Sequence, residues 1–315
     1  MRRPRRSVPR LLPTLLLACL PLAAAAAEPA AEPAAATASA AGPTLELVWE
    51  TAGFSAPESV VFDPRARRYY VSNMGSWGEG ATPGDGFISV LDADGGLRTL
   101  RWIEGLENPK GLALANGRLY VGDDDALVEI DPVAAAILAR HRPGDGPGGF
   151  NDATADGDGN VYVFSRRLDT VFRLADGGFA PWRTLDPHET GRPNGLRVDA
   201  GRLLAGSWEV PAADGGQAQP GHLSAIDLAL GSIERVHGPT GHIDGIEPDG
   251  AGGLTLTDWT RGEVLHVDAG GRTRVLLRPG KGSADHLYRP DARLLVVPQL
   301  LDDVVRAWRW SPAAD

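Results

Sequence analysis

From about residue 45 to residue 310 the chain is a succession of short runs in which apolar and polar residues alternate or β-branched residues cluster. Gly, Asp or Asn closes each run. A period of two predicts β-strands, and the closing residues predict tight turns. No stretch has the spacing of a convincing amphipathic helix. The nearest, 133–141, follows Asp131-Pro132 with apolar Ala134 to Leu138 and predicts one or two helical turns at best.

The runs form a repeat. A polar residue leads, a few alternating residues follow, then a Gly/Asp turn and an apolar strand; the leaders are Glu58, Lys110, Asn151, Asn194, Asp244 and Asp285. Their steps are 52, 41, 43, 50 and 41 residues. Four short strands with their turns occupy roughly 40 to 50 residues, the size of one propeller blade. Six such units predict an all-β, six-bladed β-propeller over 44–312, with the run from Leu45 to Glu50 completing the last blade so that no sheet edge stays open. A pair of eight-stranded sandwiches would not need the recurring leader.

In a propeller the innermost strands line a central channel and start at one end, so the six leaders meet at its mouth. Three carboxylates, one ammonium and two amides then share a narrow funnel. Like charges there repel unless neutralised. Five of the six offer oxygen, which predicts a hard divalent cation, Ca²⁺ first, with Mg²⁺, Mn²⁺ or Zn²⁺ as other guests. The competing reading is that each leader merely caps a strand, Asn-Gly and Asp-Gly being turn chemistry.

Charge and the N-terminus refine this picture. Of 315 residues, 31 are Lys or Arg against 41 Asp or Glu, a formal net charge of −10 with only two lysines, which excludes a nucleic-acid surface. Five Arg within the first ten residues precede an apolar run, 11–22, and small residues to Ala27, the pattern of an export signal over 1–27. The run is too short for a transmembrane helix. The expected location is periplasmic or secreted. Cys19, the one cysteine, leaves with the signal unless it is lipidated. An Ala/Pro/Glu tract, 28–43, reads as a linker.

Glu58, the pair Asn151-Asp152, Asn194-Gly195 and Asp244-Gly245, in that order and at blade spacing, resemble the regucalcin/gluconolactonase family of six-bladed propellers. The resemblance covers about 45–310. It implies that Glu58, Asn194 and Asp244 are metal ligands, that Asn151 is a ligand or substrate contact, and that Asp244 is also the base or nucleophile. The chain departs from the family pattern at Ser59-Val60, where Gly-Pro is usual, at Gly149, where an arginine helps hold a sugar lactone, and at Ala153, where Gly is usual. Gluconolactone itself is therefore a poor expectation as substrate, and Lys110 and Arg192 are the candidates for a positive substrate contact.

The expected function is metal-dependent hydrolysis of a lactone or related activated ester, a small-molecule substrate. The cation polarises the carbonyl, Asn151 and Asn194 hold cation and substrate, Asp244 takes a proton from water or attacks, and His286 shuttles protons at the rim. The alternative is a non-catalytic propeller that binds a small molecule or protein partner around a structural cation, using the long connections 73–86 and 209–221. Gly-x-Ser-x-Gly, His-Glu-x-x-His and Walker patterns are absent. Gly144 to Gly149 matches a dinucleotide fingerprint only in letters, since Pro147 interrupts it and no helix follows; it predicts a loop. Asp156 to Asn160 predicts a β-turn, and Trp208 and Trp259 predict packing between neighbouring blades.

Overall fold

The computed structural model describes residues 45–144, 148–176 and 178–310. The expected signal, linker and Cys19 lie outside them, as do 145–147 of the Gly-rich loop.

Six four-stranded antiparallel sheets follow one another as blades. Blades 1 to 5 occupy 57–106, 112–141, 150–184, 192–241 and 243–277, each strand pairing with the next in sequence. Blade 6 takes three strands from 287–309 and its outermost from the other end of the chain: Glu46–Ala52 pairs antiparallel with Val304–Arg309, Glu46 opposite Arg309. The propeller, its blade count and its closure are those the repeat predicts.

Both faces of each blade are buried, because neighbours sandwich it. Along the second strand of blade 1, Tyr69 and Val71 pack with Leu294, Val296 and Val305 of blade 6, whereas Tyr70 between them packs with Leu119, Val121 and Val128 of blade 2. Successive side chains thus enter opposite inter-blade cores. This explains why many second strands read as continuous apolar runs rather than strict alternations. Trp208 meets Trp259 across the blade 4–blade 5 boundary with ring centroids 5.7 Å apart, the packing role expected of them.

The segment 133–141 corrects the helical expectation. It turns through Ala135 at positive φ and continues as the strand Ala136–His141. Pairing with Leu127–Asp131 overrides the local alanine propensity, since an outer strand completes the blade. Among the described residues the one α-helix is the short turn Pro187–Thr190, capped by Asp186, whose Oδ1 accepts from the His188 N–H. Asp156 to Asn160 is the expected turn, Asp156 Oδ1 accepting from the N–H groups of Asp158 and Asn160.

The register sets which end is functional. Pro57 pairs with Asn73, Phe150 with Ser165, Pro193 with Ser207 and Ile243 with Asp258. The start of each innermost strand therefore lies beside the end of the second, and the leaders share one face with the loops that join second to third strands. The long connections after Asn73 and after Val210 both lie on this face.

Candidate active site at the channel mouth

A register break occurs at the leader in four blades: between Pro57 and Val60, Phe150 and Ala153, Pro193 and Gly195, and Ile243 and Ile246. Such a bulge releases the leader from the ladder and re-aims its side chain. Glu58, Asn151, Asn194 and Asp244 are the residues so released. In blades 2 and 6 Lys110 and Asp285 precede the strand proper, with Asp285 tied to blade 1 through its N–H to the Glu58 carbonyl at 2.9 Å.

Close packing explains the glycine that follows three of the six leaders. A Cβ on Gly195 would lie 2.0 Å from the Asp244 carbonyl oxygen, and one on Gly111 would lie 2.2 Å from Asp152 Oδ1. One on Gly245 would lie 2.7 Å from Asp285 Oδ1. Neighbouring innermost strands approach too closely there for any side chain. Gly195 and Gly245 lie within innermost strands, so Asn194-Gly195 and Asp244-Gly245 are strand residues and not turns.

The leaders form a chain of side-chain hydrogen bonds across blades 3, 4 and 5. Asn151 Nδ2 donates to Asn194 Oδ1, and Asn194 Nδ2 donates to Asp244 Oδ1 at 2.5 Å. Arg166 Nη1 also donates to Asn194 Oδ1, at 3.3 Å. Opposite them, Ser59 Oγ donates to Asp285 Oδ2 at 2.6 Å. Glu58 Oε2 is buried without a hydrogen-bond partner. Glu58, Asn151, Asn194 and Asp244 are each at most 6% exposed.

Burial and mutual repulsion govern the acids. Burial, then Asp244 and Asp285, raise the Glu58 carboxyl well above the usual carboxylate range, against the pull of Lys110 and Arg166. Asp244 is pushed up to about 8 by burial and Asp285, with Arg166 and Asn194 opposing. Asp285 is raised to about 7 by burial, opposed by Ser59 and Arg197. One tier down, burial lifts Glu247 to about 8 although Arg197 Nη1 lies 3.1 Å from it. These groups hold protons, or want a cation.

Among the described residues no three His, Cys, Asp or Glu side chains group as a metal cage. The convergent oxygens are instead mixed, two carboxylates with two amides. An orphaned carboxylate oxygen, neighbouring acids that repel, and an all-oxygen donor set fit a hard divalent cation better than zinc.

The other expected residues are placed differently. Lys110 Nζ donates to Asp124 Oδ1 at 2.9 Å and to the Asn108 carbonyl, close enough to the mouth to act on Glu58. Arg192 lies half-exposed on the surface, 3.3 Å from Glu209, and the structure does not bring it to the leaders. His286 is not at the rim. It is 1% exposed, hydrogen-bonded to Thr255 Oγ1 at 2.7 Å, and burial pushes its imidazole down to about 3. The bond to Thr255 holds the ring inside the blade, and its unpartnered Nδ1 faces Gly245 beside Asp285 Oδ1, each 2.7 Å from where a Cβ on that glycine would lie.

The sequence reading missed Arg166 and gave Asp152 no role beyond its pairing with Asn151. Asp152 is buried between blades 3 and 4, its carboxylate accepting from the N–H groups of Leu196 and Ala153 and locking the two innermost strands together. Arg166 follows Ser165, which pairs with Phe150 as Ser207 pairs with Pro193 and Asp258 with Ile243, so it holds in blade 3 the place of Trp208 and Trp259 in blades 4 and 5. That equivalence was the available signal.

No family model and no curated protein matches the chain. Among solved structures it resembles a gluconolactonase from Xanthomonas campestris, with a TM-score of 0.64 and 17% identity over 86% of this chain and 90% of that one. It also resembles streptogramin B lyase, with a TM-score of 0.57 and 12% identity over 85% of this chain and 98% of that one. These likenesses are of fold: the expected kinship with the gluconolactonase propellers is met at that level.

Proposed function

We propose that the protein is an exported, cation-dependent hydrolase of a lactone or another activated ester, working at the channel mouth. The observation that carries this reading is the hydrogen-bonded row of Asn151, Asn194 and Asp244 from three blades, with the buried, unpartnered Glu58 carboxyl of a fourth close enough for the Asp244 charge to act on it. The gluconolactonase likeness supports the substrate class.

The same four residues would hold a divalent cation, Ca²⁺ first, through oxygen, with Asn194 Oδ1 giving up its bonds to Asn151 and Arg166 to do so, and such an ion supplies Lewis-acid polarisation of a carbonyl or phosphoryl oxygen. The remaining chemistry belongs to the side chains. Asn194 presents its N–H to Asp244 Oδ1, which fixes the direction of that carboxylate. Oδ2 is left to accept a proton from the attacking water. Burial, and then the neighbouring Asp285 that Ser59 holds, raise the proton affinity of Asp244 and strengthen it as a base. Burial favours the neutral imidazole of His286, which is bonded to Thr255 and lies below the rim.

The test is a panel of lactones and aryl esters assayed with chelator and then with each metal restored. Turnover that disappears with chelator and returns with one ion is expected. Tight ion binding with no turnover of any ester would replace the hydrolase with a non-catalytic binding propeller.

A further inference from the structure

Beside the mouth, between blades 2 and 3, a cavity of about 510 Å³ is lined by Lys110, Asp124, Gly149, Phe150, Arg166 and Arg167. Its size suits a small organic group. Three of six lining residues are cationic in a chain of net charge −10. The one acid, Asp124, is already engaged by Lys110 at 2.9 Å. Among the described residues neither Arg166 nor Arg167 is paired with a carboxylate; Arg166 spends one N–H on the Asn194 amide oxygen.

The surrounding backbone keeps this space open. Gly149 sits at φ +61°, and a Cβ there would lie 2.9 Å from Arg167 Cβ. Its N–H donates to the Asp124 carbonyl at 2.6 Å, and its carbonyl accepts from the Arg166 N–H at 2.9 Å. The glycine thus pins the loops of both blades while leaving the cavity free of a side chain. Buried Phe150 lines it with apolar surface, where charge interactions strengthen.

The cavity also shares a wall with the reacting groups. Arg166 touches Asn194, and both Arg166 and Lys110 act electrostatically on Glu58. We infer that this cavity is an oxyanion subsite: Arg166 and Arg167, with Lys110 at its edge, hold a carboxylate or phosphate group of the substrate while the ester bond lies over Asn194 and Asp244. Planar guanidinium forks suit such oxyanions. The substrate class then narrows to anionic lactones or esters, an inference that rests on the hydrolase reading for the second half of that statement only.

Calorimetric titration of the full chain separates the two halves. The probes are glutarate, inorganic phosphate and uncharged glutaramide, each against the wild type, Arg167→Gln and the double variant Arg166→Gln/Arg167→Gln. Glutarate or phosphate should bind the wild type with an affinity that falls as salt rises, should lose at least tenfold in the double variant, and should outbind glutaramide. Whichever of the two binds more tightly identifies carboxylate or phosphate as the natural group. Equal oxyanion affinity in wild type and double variant, or no uptake by the wild type, overturns the subsite. In a second arm, the ratio of kcat/KM for a carboxylate-bearing aryl ester over its neutral analogue should fall at least tenfold in Arg167→Gln, which leaves the Asn194 contact intact. An unchanged ratio overturns the specificity role. Oxyanion uptake without turnover of any ester sinks the hydrolase and upholds the pocket.

Discussion

Asn194 Nδ2 lies 2.5 Å from Asp244 Oδ1 although the two residues are 50 positions apart in different blades. The contact exists because Gly195 lets the blade 4 strand sit against the Asp244 carbonyl. It joins an amide held on its other side by Asn151 and Arg166 to the carboxylate proposed as base.

Replacing that base is the first test. Asp244→Asn should lower kcat on any accepted ester by on the order of 10²–10⁴, the usual worth of a general base. The fold should persist, as judged by circular dichroism and Tm. Activity equal to wild type would remove Asp244 from the chemistry.

Glu58→Gln removes one charged oxygen from the proposed cation set and one of the mutually repelling buried acids. Without added ion its Tm should equal or exceed that of the wild type. With calcium at 100 times Kd the wild type should gain about 2.7 kcal/mol of stability, and the variant distinctly less at the same concentration. A full calcium response in the variant would show that Glu58 is not a ligand.

Gly195→Ala tests the close approach. Its new methyl would lie 2.0 Å from the Asp244 carbonyl, so the strands must part. Overpacking of this kind costs about 1–3 kcal/mol. A Tm lower by several degrees, together with lost esterase activity, is expected. A variant as stable and active as the wild type would mean that the innermost strands are not in contact there.

Glu247 predicts a pH dependence. Its carboxyl rises from 4.5 to about 8 in the folded chain, burial outweighing Arg197, with Asp285 and Asp199 adding to the rise. A raised pKa contributes stability that is complete below about 4.5 and lost as pH climbs through about 8. Melting of chelator-treated protein should therefore show Tm falling over that interval, and Glu247→Gln should flatten the fall. An identical profile in the variant would contradict a buried, protonated Glu247.

The blade count, the closure and four of the mouth residues were legible because they recur: a polar leader every 41 to 52 residues is a periodic signal that survives without knowledge of contacts. The glycines after the leaders were visible but ambiguous, since Asn-Gly reads as a turn until a neighbouring strand is known to press on it. Arg166 was marked only by its equivalence with Trp208 and Trp259, and Asp152 only by its place beside Asn151; neither tells that one reaches Asn194 from a loop and the other accepts from the backbone N–H groups of Leu196 and Ala153. His286 was misplaced for a related reason. Sequence adjacency to Asp285 says nothing about which way a side chain turns, and Thr255 draws it inward.

Blade 6 joins strands from opposite ends of the chain, and the register of Glu46 with Arg309 spans 263 residues. During synthesis five sheets can assemble from neighbouring sequence as they emerge. The sixth must wait until its final strand leaves the ribosome and finds the oldest one. Closure across that separation carries a large loop-closure cost, and until it forms the margins of the first and last sheets remain unpaired edges open to other strands.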